Sequence, residues 1–199
     1  MTRIAAIVLA AGLSSRISQN KLLLDLSGCT VLQRTLNSIL ASDINNTIVV
    51  LGNQNKMIAS TLADYKVKII YNPDYSQGIS TSIKKGIEHL LAVYPDTGAA
   101  AIFLGDMPFI KVLTINQLLA QYKRSNGLIV APSCKGRRGH PVLFDQALFA
   151  ELLKLNGDVG AKQILKEFND SSSMVEVDDP GILIDLDTWE DYLKYNNLL

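Results

Sequence analysis

The chain has 199 residues, 48% hydrophobic and 19% charged, with 19 basic against 19 acidic side chains and a formal net charge of zero. A chain of that length and composition folds as one globular domain with a large core, and its balanced charge excludes a nucleic-acid footprint or a polybasic membrane patch. Cys29 and Cys134 are far apart and form no CxxC pair, which excludes a disulfide framework and a cysteine zinc site. No stretch approaches the ~18 apolar residues of a membrane span, and the first apolar run does not lead to a cleavage site. The expectation is a single cytoplasmic domain over 1–199, with neither nucleic acid nor membrane as partner.

The run Ala5-Ala6-Ile7-Val8-Leu9-Ala10-Ala11 stops at Gly12 and gives way to Leu13-Ser14-Ser15-Arg16, with Lys21 beyond. An apolar run bounded by glycine reads as a buried strand. Gly12 has no Cβ, so a ligand can approach the backbone closely. Loop amides together with Arg16 and Lys21 would cradle a polyanion, most simply a triphosphate. An ordinary strand-to-loop turn with solvated charges fits the same residues.

The spacing next predicts a helix over 31–40, a strand over 47–52, a short helix over 57–62 and a strand over 67–71. Gly78-Ile79-Ser80-Thr81-Ser82 then opens a helix over 80–93. Hydroxyls at a helix N-terminus suit an anion, a sugar or a base edge, while N-capping by Ser80 needs no ligand. A strand over 99–105 follows and ends at Asp106. A carboxylate there can hold a hard divalent cation against bound phosphates, or can simply cap the helix predicted over 112–122. A strand over 128–132 completes a strand–helix–strand rhythm, that of a parallel sheet covered on both faces. Ligands of such sheets sit at the carboxyl ends of the strands, where the loops at Gly12, Asn72-Pro73 and Asp106 converge.

After Pro132 the pattern changes. The basic turn from Ser133 to Gly139 implies a hairpin or an excursion, and a strand resumes over 141–144. Arg138 and His140 lie on or beside that turn, where guanidinium groups can bind phosphate in bidentate fashion. Helical pieces over 146–153 and 160–168 flank Gly157-Asp158-Val159-Gly160, a glycine-punctuated start placed on the same side. Short strands are expected over 174–177 and 182–185, then a terminal helix from Thr188. Asp187 with Glu190 three positions on reads as a capping box. That leaves Asp185 as the expected second metal ligand, on the same face as Asp187 by strand alternation, with Asp187 next in line. Walker A, GxSxG and GxGxxG patterns are all missing, which argues against P-loop, hydrolase and dinucleotide readings.

In this order the motifs resemble the nucleotidyltransferases of molybdenum cofactor synthesis, the MobA-like NTP transferases, over essentially the whole chain. Leu9-Ala10-Ala11-Gly12-Leu13-Ser14-Ser15-Arg16 with Lys21-Leu22-Leu23 looks like the family's nucleotide loop. Gly78 to Ser82, Leu104-Gly105-Asp106-Met107-Pro108, Arg138-Gly139-His140-Pro141-Val142 and Asp185-Leu186-Asp187-Thr188 look like its later blocks. The nucleotide loop is shared with many sugar-nucleotide transferases. Its combination with the Arg-Gly-His-Pro-Val and Gly-Asp-Val-Gly-Ala blocks points to the cytidylyltransferase branch.

The resemblance implies a Rossmann-like, three-layer α/β sandwich with a mostly parallel sheet, of the nucleotide-diphospho-sugar transferase type. It implies transfer of CMP from CTP to the phosphate of molybdopterin, with release of pyrophosphate and Mg²⁺ as cofactor. Ala11 stands where the guanylyltransferase branch usually has glycine, which indicates CTP. Leu9, Ala10, Ala11, Gly12, Ser14, Ser15, Arg16, Lys21, Ser80, Thr81, Ser82 and Asp106 would contact the nucleotide, with Arg16, Lys21 and Asp106 carrying catalysis. Asp106 and Asp185 would hold the metal, and Arg138 and His140 would face the pterin. A molybdenum hydroxylase apo-enzyme is the implied recipient. The chain departs from the family at Ile17-Ser18, usually Met-Gly, at Asp25 and Trp189, usually proline, and at Met107, usually glutamine. Two other readings stay open: a nucleotidyltransferase with another acceptor (GTP-using, or for a sugar or polyol phosphate) and a non-catalytic pterin carrier.

Overall fold

The computed structural model describes residues 2–12, 20–52, 55–125, 127–158 and 160–196. Strand and helix alternate through β1 (Arg3–Ala10), α1 (Val31–Leu40), β2 (Asn46–Leu51), α2 (Asn55–Thr61), β3 (Lys68–Tyr71), α3 (Ile79–Val93), β4 (Thr97–Leu104) and α4 (Val112–Arg124). The second part holds β5 (Ile129–Cys134), β6 (Arg137–Arg138), β7 (Val142–Asp145), α5 (Phe149–Lys154), α6 (Lys162–Glu167), β8 (Ser172–Glu176) and α7 (Trp189–Asn196). The hairpin expected after Pro132 is the antiparallel β5–β6 pair.

Among the described residues the strands form one sheet in the order β3-β2-β1-β4-β7-β5-β6, with β8 on β5. β1 pairs in parallel with β2 and β4, and β3 and β8 add in parallel to β2 and β5. β7 runs antiparallel between β4 and β5, and the two-residue β6 runs antiparallel to β5, so the sheet is mostly parallel. β1 explains the layering. Ile4, Ala6, Val8 and Ala10 enter one core with Leu32, Leu36 and Ile115, while Ala5, Ile7 and Leu9 enter another with Ile83, Ile87 and Phe144. Successive side chains of a strand leave on opposite faces, so a strand with helices on both sides must be apolar throughout. Three layers result.

From β1 the chain winds outward through β2 and β3, then returns to β4 on the other side of β1. The crevice where that direction switches lies at the carboxyl ends of β1 and β4. Two bonds fix it: the Gly105 amide donates to the Leu9 carbonyl at 2.9 Å, and the Thr35 hydroxyl donates to the Gly105 carbonyl at 3.0 Å.

One expected element is different. Residues 182–185 form no strand; a 3-10 turn spans Pro180–Leu183 instead. The Asp179 carboxylate accepts from the Gly181 amide, and a Cβ at Gly181 would collide with the Phe109 carbonyl oxygen. The Asp-Asp-Pro-Gly turn chemistry therefore outweighs the apolar Ile-Leu-Ile run behind it. Beyond the turn, the Leu186 amide donates to the Asp106 carbonyl at 3.0 Å, and the Leu186 side chain is buried with Leu24, Leu26 and Val31. This bond brings the tail to the carboxyl end of β4.

Candidate active site

At that crevice lies a cavity of about 650 Å³, lined on one side by Leu9 to Gly12 and on the other by Lys21, Asp106, Asp185 and Asp187. Gly12 is exposed, and a Cβ there would meet no atom of the described residues within 4 Å. Packing among the described residues makes no demand for glycine here, and a backbone without a Cβ can be approached closely. Ser14, Ser15 and Arg16 lie outside the described residues.

Lys21 is the centre of the charged wall. It starts a 3-10 turn whose N-cap, the buried Asn20, accepts from the Leu22 amide. The Lys21 Nζ donates to Asp106 Oδ2 at 2.5 Å and to Asp187 Oδ1 at 2.6 Å. The Lys21 and Asp106 side chains retain only 15% and 17% of their exposure. Burial works against the ammonium, but the charges and hydrogen bonds of Asp106 and Asp187 outweigh it and hold the Lys21 pKa above its usual range. Asp106 Oδ1 is buried and has no hydrogen-bond partner. Burial, then repulsion from Asp187, pushes the Asp185 carboxyl above its usual range, with Asp106 adding to it.

The structure corrects the reason given for ranking Asp185 above Asp187. The cap of α7 is Thr188, not Asp187: the Asp191 amide donates to the Thr188 hydroxyl at 3.1 Å, and the Thr188 amide donates to the Asp191 carboxylate at 3.0 Å. The capping box is thus shifted by one residue. Asp187 is left to meet Lys21, while Asp185 lines the cavity as an exposed side chain. Among the described residues, no three His, Cys, Asp or Glu side chains form a ready-made metal cage. Two carboxylates suffice for a cation that keeps waters and shares phosphate oxygens.

The start of α3 also differs from expectation. Its cap is Gly78, at φ +112°, where a Cβ would lie 2.5 Å from the Gly157 carbonyl. The Ile79 amide donates to Asp158 Oδ1 at 3.1 Å and the Ser80 amide to the Gly157 carbonyl at 3.3 Å. The loop at 157–158 therefore takes the place of an anion at this helix end. Ser80 is not the N-cap; it lies inside the helix, and its buried hydroxyl has no partner. The Thr81 and Ser82 hydroxyls each accept from the Asn72 amide group at 2.9 Å, and Thr81 also donates to the Gly78 carbonyl. Of the three, Ser82 lines the cavity.

A second cavity of about 420 Å³ adjoins the first, with Leu9, Ile79, Leu104 and Asp158 common to both. Arg138, His140 and Lys162 bring polar groups to a wall of Ile83, Ile102 and Phe144. Burial pushes the His140 imidazole below its usual range, Arg138 and Lys162 add to this, and Asp106 opposes it. His140 Nδ1 is buried without a hydrogen-bond partner. Sequence reasoning put the Gly157 loop on this side, and Asp158, Gly160 and Lys162 do lie there. It missed Tyr75, Ser76 and Gln77, which line the first cavity and carry no motif that could have announced them.

Comparison with known proteins bears on this geometry. The MobA-like NTP transferase domain matches residues 6–173. The chain is 30% identical to the molybdenum cofactor cytidylyltransferase of Escherichia coli K12, over 97% of this chain and 95% of the relative. It is 28% identical to the purine catabolism protein PucB of Bacillus subtilis 168, over 94% of this chain and 92% of the relative. Among solved structures, Rv0371c of Mycobacterium tuberculosis H37Rv matches with a TM-score of 0.88 at 27% identity, over 98% of both chains. A second structure of Rv0371c, in complex with manganese, matches with a TM-score of 0.83 at 25% identity, over 100% of both chains.

Proposed function

Because the chain belongs to the MobA-like NTP transferase family and is a nucleotidyltransferase, we propose that it transfers CMP from CTP to the phosphate of molybdopterin. The observation that carries the reading is the cluster of Lys21, Asp106 and Asp187 beside the open backbone of Gly12, at the switch point of the sheet. An acceptor phosphate oxygen attacks the α-phosphorus in line, its new P–O bond forming as the bond to the pyrophosphate oxygen breaks and that oxygen keeps the electron pair. The acceptor is already ionised, so the protein's part is positioning and neutralising charge. The amides from Ala10 to Gly12 and the Lys21 ammonium bind the triphosphate, with Arg16, Ser14 and Ser15 as further candidates.

The residues present suit a divalent cation, since Asp106 Oδ1 is buried without a partner and Asp187 and Asp106 crowd Asp185 with like charge. Asp106 and Asp187 would hold Mg²⁺, with Asp185 alongside, and the bound ion would neutralise triphosphate charge. Ala11 supports cytosine, as does the name of the E. coli relative. Ser82 is the member of the Ser80, Thr81 and Ser82 set best placed for the nucleotide. The second cavity suits the acceptor: its apolar wall matches a flat ring system, and Arg138 and Lys162 match a phosphate. A molybdenum hydroxylase apo-enzyme would receive the product. A transferase using a different phosphate acceptor is the second reading, favoured by the PucB relative, which is named for purine catabolism.

A nucleotide panel with Mg²⁺ and molybdopterin, followed by pyrophosphate release, tests this. Turnover with CTP is expected. Turnover with GTP alone would overturn the cytosine assignment, and none with any nucleotide would overturn the acceptor. No helix among the described residues is long and apolar enough to cross a membrane.

A further inference from the structure

A single ammonium lies within 2.6 Å of oxygens from two carboxylates that are 81 residues apart in sequence, Asp106 and Asp187. Two carboxylate oxygens converging on one point make the environment of a cation, whichever cation fills it. An ammonium and a divalent ion cannot share that point, because like charges at contact distance repel strongly in a partly buried site. We propose that Lys21 is the resident cation of its own metal site, and that it gives up that place when a triphosphate draws it away. The inference rests on the metal reading given above and adds an order of events to it.

Three features support the exchange. The ammonium sits on a flexible four-carbon stem, unlike a rigid guanidinium, and can swing between partners. Its stem starts from a 3-10 turn that lines the same cavity as Ala11 and Gly12, where the phosphates would lie. Asp106 Oδ1, next to the oxygen that Lys21 holds, has no hydrogen-bond partner, so Lys21 covers only part of what the carboxylate offers. With Lys21 in place, a free divalent ion meets a site whose charge is already partly offset. Once Lys21 turns to the triphosphate, the Asp106 and Asp187 oxygens that it held would be open to a divalent ion beside the phosphate oxygens. Metal and nucleotide are then coupled ligands, each tightening the other by the same factor.

The test is Mn²⁺ binding by the purified protein, read by the loss of the free Mn²⁺ electron paramagnetic resonance signal, without turnover. Wild type is expected to bind Mn²⁺ weakly alone and more tightly with CTP. Lys21→Met should bind Mn²⁺ without nucleotide more tightly than wild type by about tenfold or more, since it deletes the competing charge. Lys21→Gln carries the same expectation should Lys21→Met fold poorly. Lys21→Arg keeps a cation and should stay as weak as wild type, and the added Asp187→Asn should remove the gain of Lys21→Met. Neutral variants no tighter than wild type, in a protein that does bind Mn²⁺ with CTP, would overturn the exchange and leave the metal reading standing. Wild type that binds no Mn²⁺ with or without CTP or GTP would overturn both.

Discussion

Two aspartates bracket the short segment between β4 and α4, and they are used in opposite ways. Asp179, from the tail, reaches the segment's far end and is 1% exposed. Its Oδ2 accepts from the Lys111 amide at 2.9 Å and the Thr114 hydroxyl at 2.6 Å, and its Oδ1 from the Gly181 amide at 3.1 Å. Both oxygens are satisfied by neutral donors, and the carboxylate clips the tail to the start of α4. Asp106, at the near end, gives one oxygen to a lysine and leaves the other buried without a partner. A satisfied buried carboxylate is a structural clip; one left short of donors in a cleft is held ready for a ligand.

The largest effect expected from breaking this contrast is on turnover. Asp106→Ala should lower kcat for pyrophosphate release by about 10³-fold while unfolding in urea at nearly the wild-type midpoint. Loss of folding in step with activity would place Asp106 with Asp179. Asp179→Ala should do the reverse, costing about 3 kcal/mol of stability by urea titration, because it strands three donors, two of them buried. Its folded fraction should turn over normally, and Asp179→Asn should recover part of the stability.

The smallest effect concerns His140. Its folded pKa is depressed by burial, so as pH falls below about 6.5 the unfolded chain takes up a proton that the folded imidazole resists. Stability is then full above the ordinary imidazole range and declines on acidification, by at most about 1.4 kcal/mol per pH unit. The decline between pH 7.5 and 5.5 should be shallower in His140→Gln, measured by urea midpoints. An equal slope in the two proteins would remove His140 as its source.

The contrast also marks what could be read from the chain. The α1 helix over 31–40 was legible to the residue from apolar residues at helical spacing, and the structure adds the capping box of Thr30 and Gln33 that fixes its start. β1 and β4 were legible because strands buried on both faces are apolar without interruption. The clip was not. Asp178-Asp179-Pro180-Gly181 is a turn signal, but the run Ile182-Leu183-Ile184 outvoted it, and Asp179's partners, Lys111 and Thr114, are distant in sequence. In the site, Lys21, Asp106 and the open Gly12 were legible from position alone. Asp187 was obscured by a capping pattern with two registers, one at Asp187 and Glu190 and the other at Thr188 and Asp191, and only the docked helix distinguishes them. The hydroxyls of Ser80 and Thr81 look alike in sequence to that of Ser82, but helix phase turns them away from the cavity.

The bond from the Leu186 amide to the Asp106 carbonyl has a consequence for how the enzyme is made. It joins a strand end in the middle of the chain to a segment close to its last helix, so the acidic pair on either side of Lys21 exists only when that segment is docked. During synthesis the parallel core of β1, β2 and β4 can assemble before Asp187 emerges, when Lys21 has Asp106 but not Asp187 to meet. The contact of Lys21 with Asp187 therefore depends on the docking of this segment as well as on the sheet.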